Sequence, residues 1–379
     1  DDMIWIAIRM LTGDPQKFFG LVFGIAFSTL LITQQLTIFV NLIERGASGV
    51  YNVSSADVWV MDPVSRTTDV AYAMPSTALD KVRSVPGVEW AVPHIRAQAS
   101  VRTRDGDLEG VAVIGVDDAT LIGLPKRMIE GSTEVLSQPD SVIIDDVGTT
   151  RMFPGQSPIG ERLELNDQRA VIRGIADAVP SFTSTVVLYT KYSQALNFVP
   201  GTRNRLSFVL VGAQQPQQAA ALAERIERET GLRARTRDEF AQDGIDFIIE
   251  NTGIPLNFGI TVALGFVVGV AIVGLTFSLF IRDNIKQFGA LKAIGVTNGK
   301  IRRMVAAQAG LVGLAGYGLG ILGTVLFIWG FSSNPTFKGF YIPWQIPLIS
   351  LAAVTLILAL TGWLALRNVL KTEPASVFR

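Results

Sequence analysis

Charged residues are absent from four long stretches of the chain. The gaps in Asp, Glu, Lys and Arg lie between Lys17 and Glu44, Glu250 and Arg282, Arg303 and Lys338, and Lys338 and Arg367. An α-helix of about 20 apolar residues crosses a hydrocarbon core of about 30 Å, and each gap is long enough. A buried helix of a soluble protein would explain one gap, but four gaps edged by charge favour transmembrane helices.

The first gap has one further interpretation, a cleaved secretory signal peptide. Its apolar run is longer than the roughly 7–15 residues of a signal-peptide core, and Gln34 and Gln35 fall where a cleavage region would begin. We therefore interpret it as an uncleaved anchor. Because the chain begins with Asp1 rather than Met, we expect a few residues to precede it.

Positive charge in the short connections predicts the orientation. The connection 282–304 contains six Lys or Arg residues against Asp283, and the tail 367–379 contains three against Glu373. Basic loops stay in the cytoplasm, so we expect both termini to be cytoplasmic and the large domain to be periplasmic. The predicted organisation is an N-terminal amphipathic segment 1–17, helix 18–43, periplasmic domain 44–250, helix 251–281, cytoplasmic loop 282–304, helix 305–330, periplasmic loop 331–345, helix 346–366 and tail 367–379.

Composition separates the large domain from the rest of the chain. Residues 45–250 contain 21 Lys or Arg against 27 Asp or Glu, whereas the remainder contains 12 against 6. Strand-like β-branched runs alternate irregularly with helical spacing in this domain, which predicts an α+β domain of two lobes. The predicted strands are 56–61, 111–116, 141–144, 169–175, 185–189 and 206–211, and the predicted helices are 77–85 and 217–230.

Little in the sequence indicates catalysis. The chain has no cysteine and one histidine, His94, so disulfides and metal sites built on Cys or several His are excluded. The pairs Asp117-Asp118 and Asp145-Asp146 follow strands, where acids commonly cap turns. The window Gly295–Lys300 lacks the spacing of a phosphate-binding loop. We predict no catalytic, metal or cofactor site, no nucleic-acid partner and no ATP hydrolysis by this polypeptide alone.

The predicted spans contain no charged residue but many glycines. Intramembrane charges mark ion pathways, so their absence argues against an ion-coupled pump. Gly316 and Gly320, like Gly265 and Gly269, are four residues apart, a spacing that lets helix backbones approach closely in lipid. Packing within one four-helix unit and contact with a second copy both fit this pattern.

The loop 282–304 contains a short helical pattern. Ile285, Phe288, Leu291 and Ile294 are three residues apart, and Gly295 suits a helix C-cap. The spacing predicts a helix over 285–294 with an apolar ridge exposed to the cytoplasm. The ridge could lie on lipid headgroups, or it could fit a groove on a soluble partner.

Several of these segments resemble a known family. Ala263–Gly269, Phe288–Gly295 and Ile301–Gly320 are similar to the FtsX/MacB/LolC family of ABC-transporter permeases, and within it to DevC-type members. Lys292-Ala293-Ile294-Gly295 matches the family's cytoplasmic motif, whereas Gln287 stands where the family often has Glu. The tail Glu373–Arg379 resembles the closing signature of the family.

The resemblance implies a non-enzymatic permease subunit. It implies a homodimer bound to two cytoplasmic ATPase subunits, which hold ATP and magnesium, and mechanical transmission of their closure to the periplasmic domain. Contact with the ATPase is implied for Gln287, Phe288, Gly289, Ala290, Leu291, Lys292, Ala293, Ile294 and Gly295. DevC-type members imply export of a lipid-like or amphiphilic cargo with a periplasmic adaptor protein and an outer-membrane channel.

Two other branches of the family imply different functions. The FtsX branch implies a signal transmitter that activates a periplasmic enzyme, and the LolC branch implies lipoprotein extraction. The size of the outer domain favours the MacB and DevC types over the FtsX branch, whose outer domain is typically smaller. The three functions stay open at the level of the sequence.

Overall fold

The structure, a computed structural model, describes residues 2–53, 55–102, 106–182, 186–334 and 337–371. Its contacts divide the chain into two compact units. The helical unit comprises Asp1–Val40, Gly253–Phe331 and Phe340–Arg379, and the α+β unit comprises Asn41–Thr252 and Ser332–Gly339. The closing signature Glu373–Arg379 lies outside the described residues.

The described residues form twelve α-helices and twelve β-strands. The helices are α1 (Asp2–Thr12), α2 (Pro15–Glu44), α3 (Ser48–Tyr51), α4 (Ala78–Arg83), α5 (Asp146–Met152), α6 (Tyr192–Phe198), α7 (Ala219–Thr230), α8 (Arg237–Asn251), α9 (Ile254–Asp283), α10 (Ile285–Ala293), α11 (Asn298–Phe331) and α12 (Gln345–Lys371). The strands are β1 (Val58–Met61), β2 (Met74–Pro75), β3 (Val88–Arg102), β4 (Leu108–Val116), β5 (Met128–Glu130), β6 (Ser141–Asp145), β7 (Arg162–Leu165), β8 (Gln168–Ala176), β9 (Val187–Lys191), β10 (Arg205–Leu206), β11 (Phe208–Ala213) and β12 (Arg233–Thr236).

Four helices of the described residues, α2, α9, α11 and α12, are long and apolar enough to cross a membrane. They confirm the predicted fold class, four transmembrane helices with a large α+β domain between the first and the second. The helices are longer than the charge-free gaps because further helical turns with polar residues extend them. α11, for example, begins at Asn298 and includes Lys300, Arg302 and Arg303.

The core of the helical unit is built from all four long helices together with α1 and α10. Its buried apolar side chains include Leu11, Ile25, Phe277, Phe288 and Ile357. Burying side chains of this size contributes about 1.5–3 kcal/mol each relative to exposure in water. In lipid, burial of an apolar side chain gains little of this energy, because lipid tails are apolar too, and close packing between helices determines which helices associate.

The α+β unit is organised around one mixed sheet. Its strand order is β12-β1-β11-β3-β4-β9-β6-β8-β5, with β7 paired to β3 and β8. The first half of β3 pairs antiparallel with β11, where His94 faces Phe208, and its second half pairs antiparallel with β4 from Ile95 onward. One long strand therefore joins the two lobes.

Helices cover both faces of the lobe that contains β12, β1 and β11. Val58 and Val60 of β1 belong to the cluster with α4 and α7, whereas Trp59 and Met61 belong to the cluster with α8. Successive side chains of a strand point to opposite faces. The continuous apolar run VWVM is thus the pattern of a strand buried on both sides.

Candidate functional site

Asn284 closes the turn that joins α9 to α10. Its backbone N–H and its side-chain Nδ2 both donate to the carbonyl of Phe280, at 3.1 and 2.8 Å. Its own carbonyl accepts from the N–H of Phe288 at 3.1 Å. Since Asn284 is buried and bonded on both sides, the end of α9 and the start of α10 are held in one geometry.

The other end of α10 has a complete Schellman cap. Gly295 takes the left-handed conformation with φ of +93°. Its N–H donates to the carbonyl of Lys292, and the N–H of Val296 donates to the carbonyl of Leu291, both at 3.0 Å. This is the paired bonding that ends a helix at a glycine, and it confirms the predicted C-cap.

The apolar ridge predicted on α10 is exposed only at its end, where Ile294 lies. Phe288 is 1% exposed and lies in the core of the helical unit, and Leu291 packs against that core. The prediction of a continuous exposed ridge is therefore wrong. The spacing is that of an amphipathic helix, but Phe288 and Leu291 pack α10 against the core to which α9 and α11 also belong.

A different face of α10 is accessible. Of the residues implied to contact an ATPase, the exposed ones are Gln287, Ala290, Ala293, Ile294 and Gly295. Ile294 is 79% exposed. Phe288 and Gly289 are buried, and Leu291 and Lys292 are half-buried. The exposed face therefore consists mainly of small and aliphatic side chains, whereas Phe288 on the opposite side is buried in the core.

An ion pair lies beside α10 that the sequence did not predict. Lys17 at the start of α2 contacts Asp283 at the end of α9 at 2.7 Å and Asp14 at 2.5 Å. Asp14 and Lys17 are three residues apart, a spacing that signals a local pair. Nothing in the sequence indicated the long-range partner, Asp283, which ties α2 to α9 next to Asn284.

The N-terminal helix α1 is docked on α11. Ala7 and Leu11 are fully buried, whereas Ile4 and Trp5 are exposed at 42% and 61%. The side-chain amide of Gln308 donates to the carbonyl of Ala7 at 2.8 Å in a buried position. α1 is therefore amphipathic, with one face bound to the bundle and an apolar and aromatic face outward.

The structure places the four predicted packing glycines inside the bundle. A Cβ atom at Gly269 would lie 2.1 Å from the Ser28 hydroxyl, and one at Gly265 would lie 3.3 Å from Leu31, both on α2. Cβ atoms at Gly316 and Gly320 would lie 2.6 and 2.4 Å from Ile25 and Thr29, also on α2. These contacts favour packing within one chain, the first of the two alternatives.

The conspicuous polar residues of the α+β unit have structural surroundings. His94 is buried between Trp59 and Phe208, with ring centroids 5.7 and 6.0 Å away. Asp145 caps α5 by accepting from the N–H of Gly148 at 3.1 Å. Within the described ranges, no group of three or more His, Cys, Asp or Glu residues could hold a metal ion.

Comparison with family models gives two matches that together cover most of the chain. The MacB-like periplasmic core domain matches residues 18–229, and the FtsX-like permease C-terminal domain matches residues 259–374. The first match alone exceeds half of the chain. The chain belongs to the FtsX/MacB family of ABC-transporter permeases. The second match contains α10, so the candidate helix lies in the permease part, and the four apolar helices make the chain a multi-pass membrane protein.

Curated relatives are proteins named macrolide export ATP-binding/permease protein MacB. That of Photorhabdus laumondii is 24% identical over 94% of this chain and 56% of its own length. That of Vibrio parahaemolyticus is 26% identical over 77% of this chain and 46% of its own length. The chain spans about half the length of the curated relatives that it matches.

Two solved structures are similar to about half of the chain. The extracellular domain of the noncanonic ABC-type transporter YknZ from Gram-positive bacteria covers 48% of this chain and 99% of that domain, with 16% identity and a TM-score of 0.36. The periplasmic region of MacB from Actinobacillus actinomycetemcomitans covers 53% and 95%, with 15% identity and a TM-score of 0.37.

Proposed function

We propose that this chain is a permease subunit that receives force from a separate cytoplasmic ATPase through α10 and transmits it to the periplasmic domain. The observation that carries the proposal is the construction of α10. One side is anchored by the buried Phe288, both ends are closed by hydrogen bonds, and the other side exposes Ala290 and Ile294. A short helix held in this way transfers displacement rather than absorbing it.

The helices that meet α10 provide the path of transmission. α2 is one continuous helix of 30 residues, and the Lys17–Asp283 pair ties its start to the end of α9. At about 1.5 Å per residue α2 is about 45 Å long. Movement of α10 would therefore displace α2 and α9 together. The charge-free spans support transmission rather than passage of a charged solute through the bundle.

The partners follow from the same proposal. Two copies of the ATPase, which would hold ATP and Mg²⁺, act on two copies of this chain. The relatives named ATP-binding/permease protein support the pairing of a permease with an ATPase. We further propose a periplasmic adaptor protein and an outer-membrane channel as partners, with a lipid-like or amphiphilic cargo. Both termini and α10 would be in the cytoplasm.

Ala290→Asp tests the contact on α10. The change places a charge on the exposed face without touching the buried anchor, so the chain should insert normally but lose binding of the ATPase. A charge left unpaired in an apolar contact costs about 3–5 kcal/mol, enough to reduce binding more than a hundredfold. The measurement is co-purification of the ATPase with tagged chain in mild detergent, followed by the rate of ATP hydrolysis.

Ala221→Asp is the matched control, since Ala221 is also an exposed helical alanine but lies on α7 of the α+β unit. It should leave ATPase binding and hydrolysis unchanged. If Ala290→Asp retained both while Ala221→Asp behaved as wild type, α10 would not be the contact and the proposed function would fail.

A further inference from the structure

An apolar groove of about 870 Å³ runs between α11 and α12. Its walls are made mainly of aliphatic side chains, with Trp363, 60% exposed, on one edge. None of the described residues that line it is acidic. The groove is of the size that holds ligands of several hundred daltons.

The two ends of the groove differ in charge. Arg302 near the start of α11 and Arg367 near the end of α12 line one end. Tyr317 lines the groove 15 positions further along α11, and its hydroxyl donates to the carbonyl of Pro347 on α12 at 2.8 Å. The groove therefore has a cationic mouth and a far end where the two helices are joined.

Glycines create the empty space. A Cβ atom at Gly310 or Gly362 would meet no heavy atom within 4 Å, and both residues line the groove. By contrast, a Cβ atom at Gly313 would lie 2.6 Å from Leu358, so the helices touch there. The space beside Gly310 and Gly362 is unfilled by the chain itself.

We infer that this groove binds one anionic phospholipid, with its phosphate between Arg302 and Arg367 and an acyl chain along the apolar walls. The 15 residues from Arg302 to Tyr317 rise about 22 Å, enough for an acyl chain that reaches the middle of a hydrocarbon core of about 30 Å. Arginine pairs with phosphate by two parallel hydrogen bonds. The site goes beyond the proposed function and does not require an ATPase.

Quenching of Trp363 by brominated lipids tests the inference. The full chain is placed in nanodiscs whose brominated lipid is either phosphatidylglycerol or phosphatidylcholine, and the Trp363 signal is the difference between wild type and Trp363→Phe. Each basic residue at an anionic headgroup favours binding about fivefold, so phosphatidylglycerol should quench at much lower mole fraction. Arg302→Gln with Arg367→Gln should abolish the preference, whereas Arg303→Gln, an exposed residue outside the lining, should preserve it.

A second pair of variants separates a built groove from lipid that merely surrounds the bundle. Gly310→Leu fills the groove and should abolish the preference, whereas Gly318→Leu, also in open space on α11 but outside the lining, should not change it. Equal quenching by the two lipids in wild type would overturn the inference. Since the chain has no cysteine, a disulfide dimer formed by Gly310→Cys in the membrane would also overturn it, because a second copy would then occupy the groove.

Discussion

Asp145 and His94 are buried ionisable residues whose titrations oppose each other. Burial raises the pKa of Asp145 to about 7, although the N–H groups of Val187 and Gly148 favour its charged form. Burial, together with the charge of Arg96, lowers the pKa of His94 to about 3. One group binds a proton more readily in the native state than in the unfolded state, and the other binds it less readily.

The signs follow from proton linkage. As the pH falls from about 7 to about 4, native Asp145 takes up a proton before the unfolded chain does, so the free energy of unfolding rises. As the pH falls from about 6.5 to about 3, the unfolded chain protonates His94 before the native state does, so the free energy of unfolding decreases. Between about pH 6.5 and 4 the two contributions largely cancel.

Single substitutions should reveal how each residue changes the unfolding free energy with pH. For Asp145→Asn we expect the unfolding free energy to fall by about 1.4 kcal/mol per pH unit, relative to wild type, as the pH drops from about 6.5 to 4.5. For His94→Gln we expect the unfolding free energy to rise by a similar amount, relative to wild type, over the same drop in pH. The measurement is the thermal unfolding midpoint of the full chain in detergent, followed by near-ultraviolet circular dichroism. Parallel pH profiles for wild type and both variants would contradict the assigned shifts.

At the scale of elements, two backbones approach closely in the α+β unit where the chain leaves α2. Gly46, in the short 3₁₀ helix Arg45–Ala47, packs backbone to backbone against Gly244 of α8. A Cβ atom at Gly244 would lie 2.2 Å from the Gly46 carbonyl oxygen, and one at Gly46 would lie 2.4 Å from the Gly244 carbonyl oxygen. Because a backbone oxygen cannot rotate away, a methyl group there must separate the two elements.

Gly244→Ala should therefore destabilise the α+β unit. Alanine is favoured over glycine by about 1 kcal/mol in a helix interior, but overpacking costs about 1–3 kcal/mol, and the contact with backbone should win. The measurement is the thermal unfolding midpoint of the full chain. Gly318→Ala is the control, because that helical glycine has no heavy atom within 4 Å of an added Cβ and should leave the midpoint unchanged or raise it. An unchanged midpoint for Gly244→Ala would show that the elements are not in close contact.

At the scale of the whole molecule, Ser332–Gly339, the first part of the connection between α11 and α12, belongs to the α+β unit. The Lys338 ammonium donates to Asp177 at 3.0 Å and to the carbonyl of Ala178 at 2.8 Å, and it also pairs with Asp146. Burial raises the pKa of Asp177, but the hydrogen bonds and charges of Lys338 and Arg127 outweigh it and lower the pKa. Residues 332–339 and the large domain must therefore be on the same side of the membrane.

Labelling of single cysteines tests this topology, since the chain has none of its own. Ala221→Cys and Ser333→Cys are exposed positions of the α+β unit and should react with a membrane-impermeant maleimide in cells with a permeable outer membrane. Ala290→Cys on α10 should react only after the inner membrane is opened. Equal labelling of residues 221 and 290 before the inner membrane is opened would contradict the proposed topology, because both residues would then lie outside the cytoplasm.

The charge-free gaps sufficed to predict the four long helices, because a bilayer demands apolar length irrespective of the partners of each helix. The C-cap at Gly295 was also predictable, since few residues adopt a left-handed conformation cheaply. The run around Pro93 and His94 suggested a strand or a turn, and the full length of strand β3 (Val88–Arg102) was not predicted because proline, lacking an N–H, weakens a strand pattern. α8 was missed although Thr236 and Glu239 form a capping box, a signal present in the sequence.

What only the tertiary structure decided is which surface each pattern faces. Periodicity identified α10 as amphipathic, yet the burial of Phe288 depends on a core to which distant residues such as Leu11 and Ile357 also belong. The same holds for the partner of Lys17, the glycine contacts on α2 and the groove beside Gly310. Local physics determines the conformation of a segment, whereas these contacts join residues far apart in sequence, and no local pattern encodes them.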